Sequence, residues 1–175
     1  AKTPRGQKTR ASILAAAREL CSSRWLDELS LAELARAAGT TRASVLFQFP
    51  EGWPDIAAQL LALAVERVAD LAASYMTAGF VHGVLNTDNM NITGESFDYG
   101  PWRFLPLYEP GFTAAYFDRT GLYAFARQPE AVFWNLTQLA GCLKLVAEVE
   151  PLTDALNGFG PAYIRELRAA FLMRL

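Results

Sequence analysis

Ser30-Leu31-Ala32-Glu33-Leu34-Ala35-Arg36-Ala37-Ala38-Gly39-Thr40-Thr41-Arg42-Ala43-Ser44-Val45-Leu46-Phe47-Gln48-Phe49-Pro50 decides how the front of this chain folds. Ser30 and Glu33 make a capping-box pattern, in which hydroxyl and carboxylate each satisfy a free backbone donor, so a helix starts at Ser30. Leu31, Leu34 and Ala35 supply its apolar side, and Gly39 is a good left-handed terminator. Thr41 caps the next helix, Arg42 to about Phe49, and Pro50, Gly52 and Pro54 punctuate the chain after it. Upstream, Ile13, Leu14, Ala17, Leu20 and Cys21 recur at helical spacing across residues 8–22. A helix, a short turn containing Gly and a short helix with a polar start form the geometry that puts a recognition helix into a major groove.

Beyond this stretch the pattern predicts a long helix from about Pro54 to Thr77, with Ile56, Leu60, Leu63, Val65 and Val68 as its apolar positions. Residues 80–101 are short apolar runs broken by Asn, Thr, Asp and Gly, which suggests strands and loops. Residues 104–127 read as irregular, well-packed loop. Helices are expected over Pro129–Glu148 and Pro161–Leu175, with Glu148 and Glu150 as a solvated helix end. Trp102, Phe133 and Trp134 read as core in preference to a ligand platform.

Composition bounds the answer. The 175 residues are 52% apolar, ample for a buried core. The net charge of −2 hides an asymmetry: residues 1–60 hold eight Lys/Arg against six Asp/Glu, and residues 61–175 hold eight against twelve. Five basic side chains and no acid lie in the first eighteen residues, which fits either a phosphate-contacting arm or a solvated terminus. Cys21 and Cys142 lack metal spacing and read as reduced, packed thiols of a cytoplasmic protein. No apolar run reaches membrane-spanning length, and no secretory leader is evident.

A second signature lies beyond the long helix. Asp88 and Asn89 in His82-Gly-Val-Leu-Asn-Thr-Asp88-Asn89-Met90, with Asp98 in Asp98-Tyr-Gly-Pro101, offer oxygen ligands from two short loops, which suits a hard cation such as Mg²⁺ holding a nucleotide's phosphates. His82 and Asn89 have the spacing of a protein kinase's catalytic loop. Gly83 stands where that loop has Arg, and Val84 where it has the catalytic Asp. Valine cannot accept a proton, so the ordinary kinase chemistry fails there, and Asp88 is the nearest replacement base. Asp98-Tyr99-Gly100 stands in for the metal-holding D-F-G motif.

Two resemblances result. Residues 8–60, through Thr9-Arg10, Ile13-Leu14, Ser30-Leu31, Leu34-Ala35 and the run Ala38 to Pro50, resemble the DNA-binding domain of the TetR family of repressors. The resemblance implies a three-helix module used as a homodimer on double-stranded DNA, with Thr40, Thr41, Arg42, Ser44 and Gln48 facing the duplex. Leu31, Leu34, Ala38, Val45 and Phe49 would be core. Leu46 departs from a usual Tyr, Gly52 from a usual Lys and Trp25 from a usual Gly. Residues 65–175 resemble the selenoprotein O family of pseudokinase-fold protein adenylyltransferases, through Gly79 to Met90, Asp98 to Pro101, Phe104-Leu105, Tyr108, Gly121 to Ala124, Gln128-Pro129 and Trp134 to Leu136. That resemblance implies Asp88 as base, Asn89 and Asp98 as metal ligands, ATP and Mg²⁺ as cofactors, and AMP transfer to a protein hydroxyl; His82 reads as structural. No Gly-rich loop, Lys or helix Glu of a kinase N-lobe stands upstream.

The expected fold is therefore mainly α: a helix-turn-helix module over 1–53, a connecting helix over 54–78, and an incomplete kinase-like C-lobe of short strands, loops and helices over 79–175. The favoured function is a TetR-like DNA-binding transcriptional regulator, with no effector expected. The alternative is a Mg-dependent, ATP-using adenylyltransferase of the selenoprotein O type.

Overall fold

The structure is a computed structural model that describes residues 3–173. It is mainly helical, with α1 Pro4–Cys21, α2 Leu31–Ala37, α3 Arg42–Gln48, α4 Trp53–Ala78, α5 Gln128–Leu143, α6 Val149–Asn157 and α7 Phe159–Leu172. Two short strands, β1 Phe80–Val81 and β2 Arg103–Phe104, pair antiparallel with Phe80 opposite Phe104. The chain forms two compact units. One holds the described residues up to Leu60 with Leu143–Leu152; the other holds Leu61–Cys142 and the residues from Thr153 onward. The division falls inside α4.

In the first unit the helix boundaries obey local chemistry. Thr3 accepts from the Gly6 N–H at 3.2 Å to cap α1, and Pro4 occupies the first turn, where its missing N–H costs nothing. The Ser30–Glu33 capping box is formed in both directions. Those bonds, with an ion pair to Arg24 at 2.9 Å, hold the Glu33 carboxyl down to about 2. Gly39, at φ 63°, lets the Thr40 N–H reach back to the Ala35 carbonyl at 2.9 Å and close α2. Thr41 caps α3 by accepting from the Ser44 N–H at 3.1 Å.

These three helices and the start of α4 bury Ile13, Ala17, Leu34, Ala35, Val45, Phe49 and Ile56 in one core. Arg10 joins α1 to the end of α3. Its guanidinium donates to the Gln48 carbonyl at 2.7 Å and lies 4.2 Å from the Phe49 ring centre. The Trp53 indole donates to the Leu29 carbonyl at 3.0 Å and pins the entry to α4.

In the second unit α4 presents Ala64, Val65, Val68, Ala69, Ala72 and Ala73 as a buried face. Small residues there admit close backbone approach. Gly94 sits so near that an added Cβ would lie 2.4 Å from the Arg67 Cβ. The segment between β1 and β2 is stitched by a bridge between Met90 and Ser96, and regular strand is confined to two residues on each side.

Four expectations need correction. The single helix expected over Pro129–Glu148 ends at Leu143, and a separate α6 begins at Val149. Pro151 lies in the first turn of α6, a place where proline starts a helix instead of continuing one. Glu148 and Glu150 are exposed as expected, but they flank a helix start. The last helix starts at Phe159, two residues before Pro161, and the part of it expected at residues 174–175 lies outside the described residues. Trp102 and Trp134 are not core: they are 45% and 56% exposed. Cys142 is exposed as well, while Cys21 is half-buried. Among the described residues no helix is long and apolar enough to cross a membrane.

Candidate functional site

The loop carrying His82 to Met90 is held from several sides, and each hold has a nameable residue. The His82 ring is fully buried, and its Nε2 is 3.0 Å from the Phe97 carbonyl. Burial pushes the His82 imidazole pKa down, against the raising effect of its bond to Phe97. The Phe97 N–H donates to the Asn89 carbonyl at 3.1 Å. Two bonds thus join the His82–Asn89 loop to the residue immediately before Asp98.

Within the loop, the buried Asn89 amide donates through Nδ2 to the Val84 carbonyl at 2.9 Å. That bond fixes the rotamer and reserves Oδ1 as the side chain's remaining acceptor. Asp88 lies on a single turn of tight helix, Thr87–Asn89, with its carboxylate exposed. Asp98 is exposed too and adopts φ 57°, the one non-glycine residue with positive φ among those described. Such a conformation costs a non-glycine residue about 1–3 kcal/mol and persists only where its surroundings impose it. Here the imposing contacts are the Phe97 bonds on one side and a Gly100 N–H to Asp98 carbonyl bond of 2.8 Å on the other.

The side chains that could hold a cation offer only oxygen: the Asn89 amide oxygen and the Asp88 and Asp98 carboxylates. That fits a hard divalent cation that keeps waters and phosphate oxygens as its other ligands. Among the described residues no three His, Cys, Asp or Glu side chains cluster as a self-sufficient metal cage.

Gly83 occupies the place where a kinase loop has Arg, and its geometry supplies the reason. It has φ 87°, and a Cβ there would stand 2.6 Å from the Pro101 carbonyl oxygen. Only glycine lets these two segments approach so closely.

Sequence reasoning gave no role to the two α5 residues that hold the loop from below. Gln128 is fully buried; its Oε1 accepts from the His82 N–H at 2.9 Å and its Nε2 donates to the Phe80 carbonyl at 2.8 Å. Asn135 donates to the Leu85 carbonyl at 2.9 Å. Both share the buried face of α5 with Val132, Leu136 and Ala140. Two amides on an otherwise apolar helical face are a legible signal, since buried polar groups need partners.

An aromatic cluster flanks the tie. Phe80, His82, Tyr99, Trp102 and Phe104 lie ring against ring with Tyr75, whose hydroxyl bonds Ser96. Burial pushes the Tyr75 phenol up to about 12.

In the first unit, Thr41 and Arg42 are exposed at the start of α3, and Thr40 and Ser44 are half-buried. The Thr41 hydroxyl is committed to Ser44, donating to its Oγ at 3.1 Å as well as capping it. Gln48 does not face outward. It is 7% exposed, and its amide lies beside Gly6 of α1. Six residues beyond Arg42, it has turned to the side of α3 that packs on α1. Phe47, next to it, is 82% exposed.

Comparison with known proteins yields two family matches. The model described as "Protein adenylyltransferase SelO" matches residues 35–175, and that of the "Bacterial regulatory proteins, tetR family" matches residues 13–51. Residues 35–51, which include α3, fall in both. Among curated relatives, "Protein nucleotidyltransferase YdiU" of Trichodesmium erythraeum is 51% identical over 111 residues, 63% of this chain and 23% of the relative. The proteins of the same name from Synechocystis and Vibrio parahaemolyticus are 54% and 48% identical over 57% and 54% of this chain, and over 21% and 19% of their own lengths. The chain thus spans about a quarter or less of the curated relatives it matches.

Proposed function

The chain belongs to the protein adenylyltransferase SelO family, and from that premise we propose that its 82–98 loops form the catalytic-loop and metal-binding part of a nucleotidyl-transfer site. The observation that supports the reading is the pair of bonds made by Phe97, one with His82 and one with Asn89, which tie that loop to the residue before Asp98. In this reading Asp88 is the base. The hydroxyl oxygen of an acceptor protein attacks the α-phosphorus of ATP, the bond to the pyrophosphate oxygen breaks, and Asp88 takes the hydroxyl proton. The products are an AMP ester and pyrophosphate. A divalent cation held by the Asn89 Oδ1 and the Asp98 carboxylate would neutralise phosphate charge. The Asn89 amide is held by the Val84 carbonyl, and the Asp98 main chain is held at positive φ.

Titration calorimetry of the chain with ATP in magnesium buffer tests the reading. Binding is expected for the native chain, and Asp98→Ala is expected to weaken it at least about tenfold, the loss typical of one charge-assisted ligand. An unchanged binding constant in Asp98→Ala would remove Asp98 from the site.

A second reading is supported by the tetR-family match to residues 13–51 and by the complete three-helix core. In it the first unit binds double-stranded DNA, as a homodimer on a palindromic site, through Arg42 with Thr40, Thr41 and Ser44. Gln48 is left out because it is buried. Arg42→Ala is expected to reduce duplex binding at low salt several-fold in a gel-shift series, and salt-independent or absent binding of the native chain would defeat this reading.

A further inference from the structure

Beside the catalytic loop lies a hollow of about 350 Å³ in the second unit, lined chiefly by Leu85, Asn86, Leu122, Tyr123, Ala131 and Trp134. Its position relative to Asp88 is set by a side-chain tie. The Tyr123 hydroxyl donates to the Asn86 Oδ1, and Asn86 immediately precedes the turn that carries Asp88. The Asp88 carboxylate is close enough to help raise the Tyr123 phenol, behind burial and Asp118 as causes.

One wall is braced by its own hydrogen bonds. The Asp118 carboxylate accepts from the Leu122 and Tyr123 N–H groups, each at 2.8 Å, and Arg127 donates to the Gly121 carbonyl at 3.1 Å. A pre-set wall lowers the ordering cost of binding.

The chemistry of the hollow selects its occupant. Among the described residues that line it, Arg127 is the one cation, and it is already paired with Glu130 at 3.1 Å, which leaves little positive charge to hold a phosphate. Leu85 forms an apolar floor, while Leu122 and Trp134 are 48% and 56% exposed at the walls. Asp88, Asp118 and Glu130 around it are acidic, and their field opposes another carboxylate. An apolar side chain is favoured and an acidic one repelled.

We propose that this hollow is the acceptor subsite of the transferase: it receives a large apolar side chain next to the hydroxyl residue of a protein segment free of acidic neighbours. The inference rests on Asp88 marking where the acceptor hydroxyl sits. It adds a specificity element that Asp88, Asn89 and Asp98 do not supply.

The test uses the full chain and fluorescein-labelled nonapeptides with one central Ser, flanked by Leu, Ala, Lys or Asp, read by fluorescence anisotropy. The Leu-flanked peptide is expected to bind at least about tenfold tighter than the Asp-flanked one, as burial of one large apolar side chain allows. Trp134→Ala and Leu122→Asp, both at exposed positions, are expected to remove that preference and leave the calorimetric binding of ATP with magnesium unchanged. Equal affinities across the panel, or no peptide binding, overturn the proposal. So does loss of ATP binding in Trp134→Ala, which would put the nucleotide in the hollow. A native chain that ranks the peptides yet binds no ATP overturns the nucleotide reading and upholds the hollow as a peptide site.

Discussion

Gln128→Ala is expected to destabilise the second unit by about 3 kcal/mol, because it strands two main-chain groups at once. The His82 N–H and the Phe80 carbonyl both take their partner from this one amide. Gln128 is fully buried, so the truncated site also leaves a cavity that its neighbours can fill only in part. Two further variants separate the causes. Gln128→Leu restores much of the volume and no hydrogen bond, and is expected to remain about 2 kcal/mol below the native chain. Gln128→Glu keeps an acceptor for His82 and turns a carboxylate toward the Phe80 carbonyl, so it is expected to be no better than Leu at neutral pH and to improve on acidification, when the protonated form can donate. Urea unfolding followed by fluorescence measures all three. A Gln128→Leu variant as stable as the native chain would show that the amide serves packing alone.

The second large effect is expected at Gly83. An alanine there must adopt φ 87° and place its Cβ 2.6 Å from the Pro101 carbonyl oxygen. The backbone strain alone costs about 1–3 kcal/mol. The clash is with main chain, so it cannot be relieved by swinging a side chain aside; residues 98–101 must move away. Gly83→Ala is therefore expected to lower stability by at least about 3 kcal/mol and to speed amide exchange across residues 97–105. Gly100→Ala is the control. It lies in the same segment with open space around it and no positive φ, and it is expected to lie within about 0.5 kcal/mol of the native chain. Should both variants unfold alike, the close approach of residues 83 and 101 is not what glycine is needed for.

The two units differ in what they leave open to chemistry. In the first, the residues that shape the helices are the same ones that would meet a duplex in the DNA-binding reading, and the Thr41 hydroxyl is partly consumed by its two bonds to Ser44. Arg42 is exposed at the start of α3. In the second, the tie residues and the proposed working residues are distinct: His82, Gln128 and Asn135 are buried and hydrogen-bonded, while Asp88 and Asp98 are exposed. Most polar groups of this scaffold are bonded to main chain, while the buried Asn135 Oδ1 has no partner among the described residues.

Much of this was legible in the residues themselves. The starts of α2 and α3, the stop at Gly39 and the span of α4 are local events, decided by a hydroxyl, a carboxylate or a glycine within four residues of the backbone they serve. The repeat of Ile13, Ala17, Leu34 and Val45 likewise announced a core before any packing was known. What only the tertiary structure decided are the facts that depend on partners far along the chain. Gln48 is polar and would be drawn outward by local pattern, yet α1 covers it. Trp134 is apolar and would be drawn inward, yet it stands at the wall of a hollow. Gln128 reaches residues 46 and 48 positions away, a pairing no helical period can announce. Helix boundaries depend on hydrogen bonds between neighbours in sequence, whereas burial and loop attachment depend on which surfaces meet after those helices have packed.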